Sequence, residues 1–175
     1  MCLENNTPII SGTTGWLQKY DDAVALCNQN NGAFIYASNF SLGVNLFFEL
    51  NDYLAKMMAN LRDYKVSLEE IHHTQKLDAP SGTAITLAEA VIQNTGYTNW
   101  RLDGTEEGIL TITALREGNV PGTHSIRYAS PVDTIEIKHT AHNREGFALG
   151  ALTAAEWIVG KHGVFTMKDV LHIRR

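Results

Sequence analysis

Between Ile71 and Ala84 the chain reads His72-His73-Thr74-Gln75-Lys76-Leu77-Asp78-Ala79-Pro80-Ser81-Gly82-Thr83, which sets two imidazoles, an ammonium and a carboxylate beside a small-residue turn. Imidazoles pass protons near neutral pH, and an ammonium holds a carboxylate through charge-assisted hydrogen bonds. Pro80 can open a helix without losing a needed donor, and Ser81 reads as its N-cap. The first N–H groups of a helix lack partners and sit at the positive end of its dipole, so they attract anions. Together these residues have the chemistry of a pocket for a small carboxylate, with proton-transfer groups at its rim. If His72 and His73 both lie on a strand they point to opposite faces, so only one of them faces a site there.

The elements that must hold this loop are legible on either side. Lys65 to Ile71 alternates Val66 and Leu68 with polar residues and predicts a strand, and Ala84, Leu87 and Val91 recur at helical spacing up to Gly96. Further upstream, Thr7 to Ser11 predicts a strand ending at Gly12-Thr13-Thr14-Gly15. Leu17, Tyr20, Val24 and Cys27 mark a helix, and Ala33 to Ala37 is an apolar run of the buried parallel type. Residues 8–37 therefore read as β-α-β, one unit of a doubly wound sheet, which binds ligands beyond the carboxyl ends of its strands. Gly12-Thr13-Thr14 and Ser38-Asn39-Phe40 lie at those ends.

From Leu42 to Leu61 comes the longest helical pattern, with Leu46, Leu50, Leu54, Met57 and Leu61 as its expected core stripe. Trp100 to Gly108 reads as a loop. Strands are expected at 110–116, 125–129 and 134–139, which with Lys65–Ile71 makes about four strands and two helices, an α+β domain. His124 and His139 read as structural or sheet-surface positions. Phe147, Ala151, Ala154 and Ile158 predict a helix ending near Gly160, and 165–171 a short turn or helix.

Composition narrows the functional classes. The 175 residues are 44% hydrophobic and 19% charged, ordinary for a globular protein, and the net charge of −5 argues against a nucleic-acid partner. Cys2 and Cys27 make no disulfide framework and have no metal-type spacing. No signal peptide is visible in Met1 to Ile10 and no apolar run is long enough for a membrane span, so the expected location is cytoplasmic, without membrane contact. A metal hydrolase on His72, His73, His139 and His142 lacks any HExxH pattern, and Ala79-Pro80-Ser81-Gly82-Thr83 is no nucleophile elbow for a serine hydrolase. No metal is expected.

The run from His72 to Ala84 resembles the signature of the 4-hydroxy-tetrahydrodipicolinate reductase family, of lysine and diaminopimelate biosynthesis. The likeness extends to Gly12–Gly15, Ala37–Ser41, Arg116–His124 and Ile137–Ala151, and covers the chain from about Pro8 onward. It implies hydride transfer from NADPH or NADH to a small cyclic dicarboxylate in a homotetrameric oxidoreductase. His72 and Lys76 would be catalytic, and His73, Gly82 and Thr83 would bind substrate. Gly12, Thr13, Thr14, Ala37, Ser38, Asn39, Phe40, Arg144 and Phe147 would line the cofactor. It also implies a division: residues 1–40 and 144–175 as a remnant of a Rossmann-type, doubly wound α/β nucleotide domain, and 41–143 as an α+β substrate-binding and tetramerisation domain on a mixed sheet.

One departure stands out. None of the 14 glycines forms the G-x-G-x-x-G fingerprint that the family carries upstream of its Gly-Thr-Thr-Gly loop. The chain is therefore expected to lack most of the dinucleotide-binding half. The alternative to an active reductase is a catalytically impaired module that binds dicarboxylate and oligomerises.

Overall fold

The computed structural model describes every residue except Thr14, Arg174 and Arg175. Thr14, one of the positions expected at the cofactor, thus lies outside the described residues. The chain forms two compact units, one of Met1–Asn45 with Glu145–Arg175 and one of Leu46–Arg144.

The first unit is α/β. Its strands β1 (Ile9–Ser11), β2 (Ala33–Tyr36) and β8 (Gly163–Phe165) pair in parallel in the order β1-β2-β8. Between β1 and β2 runs α1 (Tyr20–Gln29), entered through a 3-10 turn at Leu17–Lys19. Two apolar clusters cover the sheet. Leu3, Cys27 and Phe34 form one, with Trp16, Tyr20 and Tyr36 packed against it. Ala33, Ile35, Phe40, Ala154, Ile158, Met167 and Val170 form the other, drawing on α4 (Glu145–Trp157) and α5 (Met167–Val170). Strand β8 was not expected from the sequence. At three residues, Gly163-Val164-Phe165 is too short to show a period, and only its pairing with Ala33–Ile35 defines it.

The second unit is α+β. Its mixed sheet has the order β4-β5-β3-β6-β7, from β3 (Lys65–His72), β4 (Asn99–Leu102), β5 (Ile109–Arg116), β6 (Thr123–Ala129) and β7 (Thr134–Thr140). Five strands replace the expected four. The loop expected from Trp100 to Gly108 opens with a strand instead: Asn99–Leu102 pairs in parallel with Ile109–Ile112, and Trp100 packs against the core. A four-residue edge strand of alternating type looks like a polar loop until its partner is placed.

One face of this sheet carries Val66, Leu68, Leu110, Ile112, Ile126 and Tyr128. It packs against α2 (Leu42–Met58) and α3 (Gly82–Asn94) through Phe47, Leu54, Met58, Leu87 and Val91. The buried Asn51 of α2 donates to the Leu87 carbonyl at 2.9 Å, fixing the two helices side by side.

The stripe expected to face the core on α2 requires correction. Leu54 is buried, but Leu46, Leu50 and Met57 are more than half exposed, Leu61 lies beyond the helix end at Met58, and the residues that enter the core are Phe47, Leu54, Ala55 and Met58. Helix α2 has two apolar faces roughly 100° apart, and the leucine spacing marked the outer one.

Candidate active site

Strand β3 alternates Val66, Leu68, Glu70 and His72 toward the helix-covered face. A carboxylate therefore occupies a position in phase with the core, and Glu70 is 0% exposed. Burying a charge is costly unless it is paired and hydrogen-bonded, and Glu70 is both. The Ser81 N–H donates to its two carboxylate oxygens at 3.1 Å each, and Arg116 donates Nη2–H to Oε1 at 3.1 Å. On the other side, Oε2 lies 3.5 Å from His72 Nδ1 and 3.6 Å from His124 Nε2.

Register explains how these residues meet. On β5 Arg116 stands opposite His72, and on β6 His124 stands opposite Glu70. The His72 and His124 rings meet edge to face with centroids 5.0 Å apart. His124, expected to be structural or on the sheet surface, is 4% exposed and part of this cluster, because the β3–β6 pairing turns it onto the same face as Glu70. His139, opposite His124 on β7, is half buried rather than on the surface.

Arg116 also fixes the loop. Its guanidinium donates to the Asp78 carbonyl at 2.6 Å and the Lys76 carbonyl at 3.4 Å, and the Glu117 N–H donates to the His72 carbonyl at 2.7 Å. The segment from His73 to Asp78 is thus tied to the sheet by its backbone. Lys76 donates from Nζ to both Asp78 carboxylate oxygens, at 2.7 and 2.8 Å. Arg144, expected at the cofactor, approaches His73, with Nη2 2.9 Å from Nε2.

Glu70 also sets the start of α3. By accepting the Ser81 N–H it holds the capping residue, whose Oγ accepts from the Ala84 N–H at 3.2 Å and lies 3.2 Å from His124 Nε2. Gly82 at the helix opening is exposed, with nothing within 4 Å of where a Cβ would stand. Ser81→Ala is expected to lower stability by about 1 kcal/mol through loss of this cap. Urea unfolding of the two chains measures it.

Electrostatics separate the two titrating groups. Burial alone would raise Glu70, but His124 and Ser81, then the charge of His72 and the hydrogen bond from Arg116, outweigh it and hold the carboxyl at about 2. Burial first, then the neighbouring His124, push His72 down to about 4, against the opposing pull of Glu70. At neutral pH Glu70 is an anion and His72 a neutral imidazole.

The remaining expected positions lie in the first unit. Gly12 and Thr13 follow β1, and Ala37, Ser38, Asn39 and Phe40 follow β2, so both groups sit at the carboxyl ends of parallel strands. A Cβ on Gly12 would come within 3.1 Å of the Phe40 ring, so the two loops meet closely at that glycine. Phe147 is half buried on α4.

Sequence reading passed over Glu70, Arg116 and His124 as functional positions. The available signal was a charged residue in phase with Val66 and Leu68, two positions before His72. Arg116 and His124 bound one of the stretches that resemble the family, but only strand register brings them to Glu70.

A family model described as dihydrodipicolinate reductase, C-terminus, matches residues 43–171. The chain is 58% identical over 171 residues to the 4-hydroxy-tetrahydrodipicolinate reductase of Christiangramia forsetii, covering 97% of this chain and 72% of the relative. It is 34% identical over 177 residues to the enzyme of that name from Methanoregula boonei, covering 98% and 68%. A solved dihydrodipicolinate reductase from Paenisporosarcina sp. TG-14, with dipicolinate bound, aligns with a TM-score of 0.73 at 23% identity, over 94% of this chain and 64% of that one; the likeness is one of fold.

Proposed function

The chain belongs to the 4-hydroxy-tetrahydrodipicolinate reductase family, and we propose that it serves the NADH- or NADPH-dependent reduction of a cyclic unsaturated dicarboxylate to tetrahydrodipicolinate. The observation that carries this reading is the α3 entrance. A buried, doubly anchored Glu70 fixes Ser81, so the helix opens at Gly82 with Lys76 and His73 on the preceding loop. Such an array suits a planar dianion, one carboxylate at the helix N-terminus and cationic groups for the other. Dipicolinate, the ligand of the solved relative, has that shape and charge.

In this reading Gly82 and Thr83 present the start of α3 to a substrate carboxylate. Lys76 leaves Asp78 to meet the dianion, and His73 with Arg144 takes part at the rim. His72 delivers the proton that completes the reduction. Alone it is neutral at pH 7, but a dianion beside it favours the imidazolium and raises its pKa toward the useful range. The nicotinamide, when bound, supplies the hydride. Gly12, Thr13, Ala37, Ser38, Asn39 and Phe40 fit its placement, being strand-end loops of a parallel sheet that meet at a glycine. The second unit would carry assembly into a homotetramer.

Lys76→Ala is expected to weaken dipicolinate binding by about ten- to a hundredfold, since a charge-assisted hydrogen bond contributes about 1.5–3 kcal/mol. Calorimetric titration of both chains tests it; equal affinities would remove Lys76 from the substrate site, and no binding in the parent would sink the reading.

A second reading has its own support. The chain as given contains no G-x-G-x-x-G, and without that cradle for the pyrophosphate the reading is a dicarboxylate-binding module with a weak hold on the dinucleotide. Fluorescence titration with NADPH and NADH separates the two, a tight complex excluding the module.

A further inference from the structure

Glu70, His72 and His124 are all buried, and each offers a ligand atom within 4.8 Å of the other two. Their arrangement differs from the histidine set that the sequence brought to mind, since His73 and His142 take no part and a carboxylate does. We propose that this cluster is a site for a divalent transition-metal ion such as Zn2+, with Glu70 Oε2, His72 Nδ1 and His124 Nε2 as its three protein ligands.

Geometry supports it first. Zinc bound at about 2.0–2.1 Å by tetrahedral ligands sets neighbouring donor atoms roughly 3.3–3.4 Å apart. The two carboxylate–imidazole separations here are 3.5 and 3.6 Å, close to that spacing, and the two imidazole donors lie within 4.8 Å of each other. Both separations run to the same oxygen. Arg116 takes the other one, Oε1, so the ion pair that anchors Glu70 is compatible with metal on Oε2.

An unmet bonding need is the second support. His72 Nδ1 is enclosed and has no hydrogen-bond partner, although its ring is 8% exposed. At 3.5 Å from Oε2 it is too far for a good hydrogen bond, yet well placed for an ion between them. The donor set, two imidazoles and one carboxylate, is that of zinc sites which keep a fourth position for an oxygen ligand.

The ion would act as an inhibitor. On the reading of His72 as proton donor, metal on Nδ1 withdraws the ring from protonation. The far edge of the ring, Nε2, is the one that Gly122 borders, 3.1 Å from where a Cβ would stand. The inference about binding stands apart from that reading, and only the inhibitory consequence rests on it.

The test is titration of the whole 175-residue chain with Co2+ and Zn2+. One equivalent of Co2+ should give the intense visible absorption of a four-coordinate ion, and Zn2+ should displace it. His124→Gln should weaken binding at least about a hundredfold, since even residues outside the first coordination shell can be worth 10–100-fold. His162→Gln, on an exposed ring in the first unit, should leave it unchanged. Should His124→Gln fail to fold, imidazole 15N spectra of the parent decide the matter. Zn2+ should shift His72 Nδ1 and His124 Nε2 and leave His142 and His162 unmoved. Absence of a saturable band, equal affinity in His124→Gln, or shifts confined to the exposed histidines would overturn the site. Metal binding without any dipicolinate binding would leave it standing while removing the reductase reading.

Discussion

Glu70→Ala should destabilise the chain by about 3–5 kcal/mol, the usual cost of leaving one partner of a buried ion pair alone. Three connections go at once: the acceptor of the Ser81 N–H, the partner of Arg116, and the charge facing His72 and His124. The pH dependence identifies the cause. The Glu70 carboxyl stands at about 2 in the folded chain against its ordinary value of 4.5, so its contribution is full above about 4.5 and lost as pH falls toward 2. Each pKa unit is worth about 1.4 kcal/mol, so the contribution is on the order of 3 kcal/mol. His72 adds a second acid limb. Its pKa is depressed to about 4 from 6.5, so unfolding binds a proton between those values and stability falls as pH drops through that window. Chemical denaturation across pH 7 to 2 should show both limbs in the parent. In Glu70→Ala the lower limb should vanish, and a variant keeping the full acid dependence would show that the carboxylate is not the anchor.

Gly150→Ala should be as damaging, for a steric reason. Glycine to alanine inside a helix is ordinarily stabilising by up to about 1 kcal/mol. At Gly150 on α4, however, a Cβ would stand 1.8 Å from the Phe40 carbonyl oxygen and 2.8 Å from its carbon. These are backbone atoms, so no side chain can swing aside and the helix must move off the segment after β2. Overpacking of this severity should cost about 3 kcal/mol or more and outweigh the propensity gain. For a domain of this size that is a fall in Tm of roughly 10 °C or more. Gly146→Ala on the same helix is the matched control. Its Cβ would meet only Ser41 Oγ at 3.6 Å, an ordinary contact, so its Tm should hold or rise. Equal behaviour of the two variants would refute the close approach. Because Phe40 belongs to a loop proposed for the cofactor, the pair also tests whether that loop needs α4 behind it.

The order of elements was written in local pattern. Alternation in Lys65–Ile71, helical spacing after Ser81 and the apolar run Ala33–Ala37 each follow from one segment's own pattern, and each formed the element expected. The His72–Thr83 loop was legible too, because its chemistry is contiguous in sequence. Register and facing were not. Glu70 looked like one more polar residue until its strand placed it in phase with Val66 and Leu68. Arg116 and His124 join it from 46 and 54 positions away, brought by pairings no local period encodes. The α2 leucines erred for the same reason, since a helix with two apolar sides does not say which one meets the sheet. Strands β4 and β8 exist only through their partners. The sequence determined what each segment could be and which groups could do chemistry. The tertiary structure alone decided which buried charge anchors them, because a carboxylate can be buried only where the fold gathers partners to hold it.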